Sequence, residues 1–166
     1  MAAGDLLIIF GAKYLFLAIP AGALFYFLRQ PAPERRRLLF LGATALPVIY
    51  VIAKIAGSLY YDPRPFVQTN FIPLVPHGPD NGFPSEHTLF GAAISAVVWV
   101  SGRKTGAVLW VLTALVGISR VLAGVHHTVD IFGSIAISVA VVWLISGSMR
   151  RRRHLNMQNA ERNNGG

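Results

Sequence analysis

The chain has 166 residues, of which 54% are hydrophobic, only 13% are charged and none is cysteine, and its mean hydropathy is +0.52. That length allows one domain, that balance excludes an ordinary soluble globule, and the missing cysteines exclude disulfides and thiolate metal sites. The net charge of +8 does not mark a nucleic-acid binder, because the basic residues fall in short clusters between apolar stretches and form no stripe.

The N-terminus carries Asp5 in place of a basic leader, and its apolar stretch outruns a signal-peptide core, so it reads as a retained first span. Five apolar stretches, roughly 6–28, 38–60, 85–101, 105–125 and 128–149, each read as a helix crossing about 30 Å of hydrocarbon at about 1.5 Å per residue. No period-two alternation supports a barrel, so the expected fold is an all-α, polytopic membrane helix bundle of about five transmembrane helices. Pro20 and Pro47 lie inside the first two stretches and are the expected kinks. Gly133, Ala136 and Ala140 share one face of the fifth and are expected to permit close packing.

Charge sets the expected orientation. Arg29, Arg35, Arg36, Arg37, Arg103, Lys104, Arg150, Arg151, Arg152, Arg153 and Arg162, eleven of the 15 Lys and Arg residues, lie in connections on one side. The positive-inside rule makes that side cytoplasmic, with the N-terminus outside and the C-terminus inside. Trp99, Trp110 and Trp143 fall towards the same side, as an interfacial belt does. Residues 150–166, rich in Arg and Asn, read as a disordered basic cytoplasmic tail after a membrane domain of residues 1–149.

The polar motifs fall at the opposite side. His126 and Asp130 are four residues apart; a carboxylate on one imidazole nitrogen fixes the tautomer and frees the other nitrogen to attack. Alone, that pair also reads as a metal pair or a satisfied helix start. Arg120 lies six residues before His126 and suits bidentate binding of phosphate, although alone it reads as a snorkelling side chain. Arg64, held between Pro63 and Pro65, is a second phosphate candidate on a stiffened loop. Ser85 reads as the N-cap of the third helix, whose free N–H groups favour an anion, and His87 in its first turn is placed to donate a proton. Glu86 suits the helix dipole and is a candidate modulator of substrate. Lys54, in the outer third of the second stretch, either snorkels or reaches the site, and Lys13 reads as snorkelling. His77 and His127 read as interfacial polar residues.

Together these residues resemble the type 2 phosphatidic acid phosphatase superfamily. Its third motif is matched in full by Ser119, Arg120, His126 and Asp130, its second by Pro84, Ser85 and His87 with Glu86 where the family has glycine, and the end of its first by Arg64 and Pro65. The family lysine position is Gly57, and Lys54 stands one helical turn earlier on the same face. The acidic residue before His87 and the run YYDPRPF look most like bacterial undecaprenyl pyrophosphate phosphatases; many relatives have six spans.

The resemblance implies a lipid pyrophosphate phosphatase at the extracytoplasmic face of the cell membrane. His126, oriented by Asp130, is then the nucleophile, forming a phosphohistidine, and His87 is the acid for the leaving group. Arg64, Arg120, Ser85 and Lys54 bind the phosphoryl oxygens. No metal and no cofactor is implied. The implied partners are a polyprenyl or other lipid phosphate and the membrane lipids. Phosphatidylglycerol phosphate and phosphatidic acid are alternative substrates, and a small transporter with a buried ionisable relay is the alternative of another class. The apolar loop residues Phe66, Phe71, Ile72 and Leu74 are expected to guide the lipid chain.

Overall fold

The computed structural model describes residues 2–164. Seven helices follow one another: α1 (Ala3–Lys13), α2 (Ala18–Leu28), α3 (Ala32–Leu59), α4 (Pro65–Thr69), α5 (Glu86–Ser101), α6 (Arg103–Leu122) and α7 (Thr128–Asn164), with a short 3-10 turn at Leu15–Leu17 before α2. Among the described residues there is no strand, only an isolated bridge between Pro63 and Asn81. The all-helical expectation holds, and α3, α6 and α7 are each long and apolar enough to cross a membrane.

The first and third expected spans depart from simple rods. α1 and the stretch Leu15–Leu28 are together long and apolar enough for one crossing, with a bend of 41° between them. The bend falls at residues 14–17, not at Pro20. Pro20 sits in the first turn of α2, where a missing N–H leaves no intrahelical bond unmade. Pro47 lies inside α3, which is assigned as one helix on both sides of it. α5 has 16 residues, about 24 Å at the usual rise, and is shorter than the other crossings.

α5 is instead the centre of the bundle, with α2, α3, α6 and α7 packed around it. Its sequence explains why: Gly91, Ala92, Ala93, Ser95 and Ala96 are small and buried, so neighbouring backbones approach closely. The polar residues at these crossings are paired. Ser95 and Thr113 join α5 to α6 at 3.0 Å. Ser134 and Ser138 of α7 donate to the carbonyls of Ser85 (3.0 Å) and Leu89 (2.9 Å).

These serines, not the expected Gly133–Ala136–Ala140 face, form the close seam of α7. Ala136 and Ala140 are exposed, while Gly133 makes room for the Phe83 ring, which a Cβ would meet at 2.3 Å. At the basic end, Glu34 accepts from Arg37 at 3.2 Å and from the Ser101 hydroxyl, while Tyr26 donates to Ser101. These bonds tie α2, α3 and α5 together.

α7 is helical past residue 150, to Asn164, and this segment holds no proline or glycine before residue 165. Residues 165 and 166 lie outside the described residues.

Candidate active site

Three loop segments meet at the end of the bundle opposite the basic clusters. The connection after α3 is held by Asn81, whose amide donates to the carbonyls of Gly57 (2.7 Å) and Tyr60 (3.0 Å). The Asn81 side-chain oxygen accepts from the backbone of Asp62 (2.9 Å) and Phe83 (3.0 Å). One asparagine therefore pairs four backbone groups of this connection. The 123–127 turn is made by Gly124 at φ +75°, with the Phe71 ring where a Cβ would stand. A non-glycine residue here would meet both left-handed strain and the ring.

Arg64 is 5% exposed and is committed on every side. Its Nε donates to Asp80 at 2.8 Å and its terminal nitrogens to the carbonyls of Val125 (2.8 Å) and Asn81 (3.4 Å). Arg120 is buried too, donating to the Ala12 carbonyl at 3.4 Å beside the bend of the first helix pair. Both guanidinium groups also stand 3.3 Å from Nε2 of His126.

That contact settles the tautomer by chemistry. Guanidinium offers only donors, so Nε2 of His126 carries the lone pair and Nδ1 the proton. Nδ1 then donates to Asp130 Oδ2 at 3.0 Å. The same oxygen accepts the His127 backbone N–H at 2.9 Å, which locks the carboxylate in the first turn of α7. His126 and Asp130 are 2% and 0% exposed. Burial holds the His126 pKa below its ordinary value; Asp130 opposes this, and Arg120 and Arg64 reinforce it. The arrangement is a neutral, fixed imidazole presenting a lone pair between two fixed cations.

A cavity of about 330 Å³ covers this group, and its walls include Arg64, Arg120, His126, His87, Lys54 and Glu86. The first-motif Arg64, the second-motif His87 and the third-motif Arg120 and His126 thus share one space. His87 leaves the first turn of α5 and packs edge-on against Phe16, with ring centroids 5.2 Å apart. Lys54 reaches across from α3 to Glu86 at 3.1 Å, both well exposed at the rim, so the lysine displaced from the family position still faces the cavity.

Ser85 is wholly buried and its hydroxyl donates to Thr88 at 3.2 Å; it makes no helix cap through its side chain and is not among the cavity walls. Thr88, three residues on, captures it. None of Phe66, Phe71, Ile72 and Leu74 lines the cavity either. Phe66 and Leu74 pack on Ala12, Val75, Ala123 and Val125, Phe71 covers Gly124, and Ile72 projects at 92% exposure.

Several functional neighbours are not legible as such in the sequence. His77 and Asp80 line the cavity, with the His77 ring 6.2 Å from that of His126. Arg64 holds the Asp80 carboxyl below its ordinary pKa, chiefly through their hydrogen bond, and burial lowers His77. His127 is bonded through Nδ1 to Asp62 at 2.9 Å. The HGPDNG run around these loop residues signals a turn but not its destination. Asp62, His127 and Asp130 are grouped closely enough to hold a metal ion, within 4.8 Å. Their mutual hydrogen bonds account for the grouping.

With this geometry in view, comparison with known proteins is informative. The PAP2 superfamily profile matches residues 36–154. Undecaprenyl-diphosphatase BcrC of Bacillus subtilis (strain 168) is 32% identical over 140 residues, covering 84% of this chain and 72% of that protein. Among solved structures, LpxE of Aquifex aeolicus superposes with a TM-score of 0.61 at 22% identity, covering 83% of this chain and 79% of that one. A PAP2-type phosphatidylglycerolphosphate phosphatase from Bacillus subtilis gives 0.55 at 25% identity, covering 87% and 74%.

Proposed function

The chain belongs to the PAP2 superfamily and is a multi-pass membrane phosphatase, and from that premise we propose that it hydrolyses undecaprenyl pyrophosphate to undecaprenyl phosphate and inorganic phosphate. The substrate assignment rests on the likeness to a relative named for that activity and on a cavity rich in phosphate-binding cations. The observation that carries the chemistry is the lone pair of His126 Nε2 standing 3.3 Å from two guanidinium groups.

In the first step Nε2 attacks the terminal phosphorus. A P–N bond forms, the P–O bond to the bridging oxygen breaks, and His87 delivers a proton to the departing lipid phosphate. The donors of Arg64 and Arg120 that rest on Nε2 turn to the phosphoryl oxygens, whose charge they stabilise. Asp130 stabilises the positive charge that develops on the ring. Water activated by His87 then attacks the phosphohistidine, the P–N bond breaks and phosphate leaves. Lys54, poised on Glu86, adds a cation at the rim.

The cavity opens at the end of the bundle away from Arg29, Arg35–37 and Arg103. By the positive-inside rule that distribution supports an active site on the extracytoplasmic side of the cell membrane, the N-terminus outside and the basic end of α7 in the cytoplasm.

The test is phosphate release by purified protein in detergent with chelator, on undecaprenyl pyrophosphate, phosphatidylglycerol phosphate and phosphatidic acid side by side. Preference for the polyprenyl substrate, and loss of turnover with retained folding in His126→Ala, are expected. Preference for a glycerophospholipid overturns the substrate but not the chemistry. Turnover by the His126→Ala protein overturns the nucleophile.

A further inference from the structure

Three cations and two carboxylates line the cavity over His126: Arg64, Arg120 and Lys54, and Asp80 and Glu86. Asp80 has a structural task, since it accepts from Arg64 Nε at 2.8 Å. Glu86 instead meets Lys54 Nζ at 3.1 Å, and the two side chains are 64% and 58% exposed. An exposed ion pair adds little to folding, and a carboxylate at the mouth of a phosphate site repels the ligand. Its place there therefore belongs to ligand binding. The cavity is graded by depth. Arg64, Arg120 and His126 are buried and form its floor, whereas Lys54 and Glu86 form its mouth. Lys54 is held there from two sides: besides Glu86, its ammonium stands 5.2 Å from the centroid of the Tyr50 ring, which is itself stacked on Phe90 of α5. Gly57, three residues nearer the loop on the same helix, has no room for a side chain, because a Cβ would meet the Phe83 carbonyl oxygen at 2.9 Å. The mouth cation is thus set at Lys54.

On the reading of the protein as a polyprenyl pyrophosphate phosphatase, on which this rests, we infer that Glu86 is a positioning residue. It stations Lys54 for the inner phosphate of the substrate and so makes two phosphates preferred over one. With the terminal phosphorus against His126 Nε2 on the floor, the bridging oxygen faces His87. Glu86 is the residue next to His87 in the first turn of α5, so the inner phosphate, one atom further out, comes level with Glu86 and Lys54. Charge follows the same order. A phosphate monoester carries about −1.5 to −2, which Arg64 and Arg120 balance, and a second phosphate adds charge that falls to Lys54. The ammonium passes from the Glu86 carboxylate to the inner phosphate, and Glu86, being exposed, turns to solvent. A lone phosphate on the floor leaves Lys54 on Glu86 and gains nothing from it. The lipid monophosphate that the reaction releases is for that reason a poor substrate for a second round.

Farnesyl pyrophosphate and farnesyl phosphate share one tail and differ by one phosphate, so the ratio of their kcat/KM values reads the preference alone. Phosphate release is measured on wild type, Glu86→Gln, Lys54→Met and the double variant. Thermal melts in the same detergent should stay level, because both side chains are exposed. We expect wild type to favour the pyrophosphate. Lys54→Met should lower the ratio about tenfold, the effect of one contact to a charged group, by slowing the pyrophosphate. Glu86→Gln should lower the ratio by a similar factor while raising kcat/KM for farnesyl phosphate, since the freed lysine reaches the single phosphate. The double variant should fall no further than Lys54→Met, because Glu86 acts through that lysine. An unchanged ratio in Glu86→Gln, equal losses on both substrates, or additive effects in the double variant overturn the inference and leave the phosphatase reading standing. A wild-type protein that hydrolyses neither farnesyl nor undecaprenyl pyrophosphate, yet releases phosphate from phosphatidic acid, overturns that reading itself.

Discussion

Replacing Asp130 separates what its charge does from what its oxygens do. The side chain is wholly buried, and its Oδ2 accepts from His126 Nδ1 at 3.0 Å and from the His127 N–H at 2.9 Å. In Asp130→Asn the amide oxygen retains both bonds, but the charge that steadies the developing imidazolium is gone. A hydrogen bond to a charged group contributes about 1.5–3 kcal/mol against about 1 for a neutral one. The difference of about 0.5–2 kcal/mol, at about 1.4 kcal/mol per tenfold, predicts a roughly two- to thirtyfold fall in kcat with folding intact. Asp130→Ala strands two buried donors at about 1–3 kcal/mol each, so it should lose far more activity and also melt lower. Initial rates of phosphate release in chelator, beside thermal melts in the same detergent, read both effects. An Asn variant with wild-type kcat, or an Ala variant as active as the Asn one, would refute the role given to this carboxylate.

Two further outcomes follow from the same geometry. Because burial, Arg120 and Arg64 hold His126 below its ordinary pKa, Nε2 stays unprotonated into mildly acidic solution. The acid limb of kcat/KM should therefore lie below the ordinary histidine value of about 6.5, and Arg64→Gln, by removing a positive neighbour, should move it upward. A downward move contradicts the assignment, since substrate ionisation is common to both profiles. Gly124→Ala should destabilise the protein by about 1–2 kcal/mol from left-handed backbone strain alone, more once Phe71 is displaced. It should also lower activity, because the neighbouring Val125 carbonyl anchors Arg64; an unchanged melting temperature would count against this reading of the turn.

How far the sequence foretold this arrangement depends on the range of each interaction. His126 and Asp130 are four apart and Arg120 is six away, so short-range periodicity and motif spacing bring them together without knowledge of the rest. The helices were equally readable, since an apolar run has to satisfy its own backbone. The break in the first span was not. Residues 6–28 look uniformly apolar, and the bend is set by distant groups, with Ala12 accepting from Arg120 and Phe16 packing on His87. Asn81, Asp80 and His77 act through partners up to some 49 residues away along the chain, in a loop whose turn residues report only that it turns. Ser85 stands at the N-cap position of α5 that its place in the sequence indicated, with its hydroxyl bonded to Thr88 three residues on.

The bond between Asp62 and His127 joins two segments 65 residues apart in the chain. Asp62 precedes Arg64 by two positions, and His127 follows His126 by one. One side-chain bond thus fastens the loop that carries Arg64 to the turn that carries His126, so the two segments share an anchor that neither has alone.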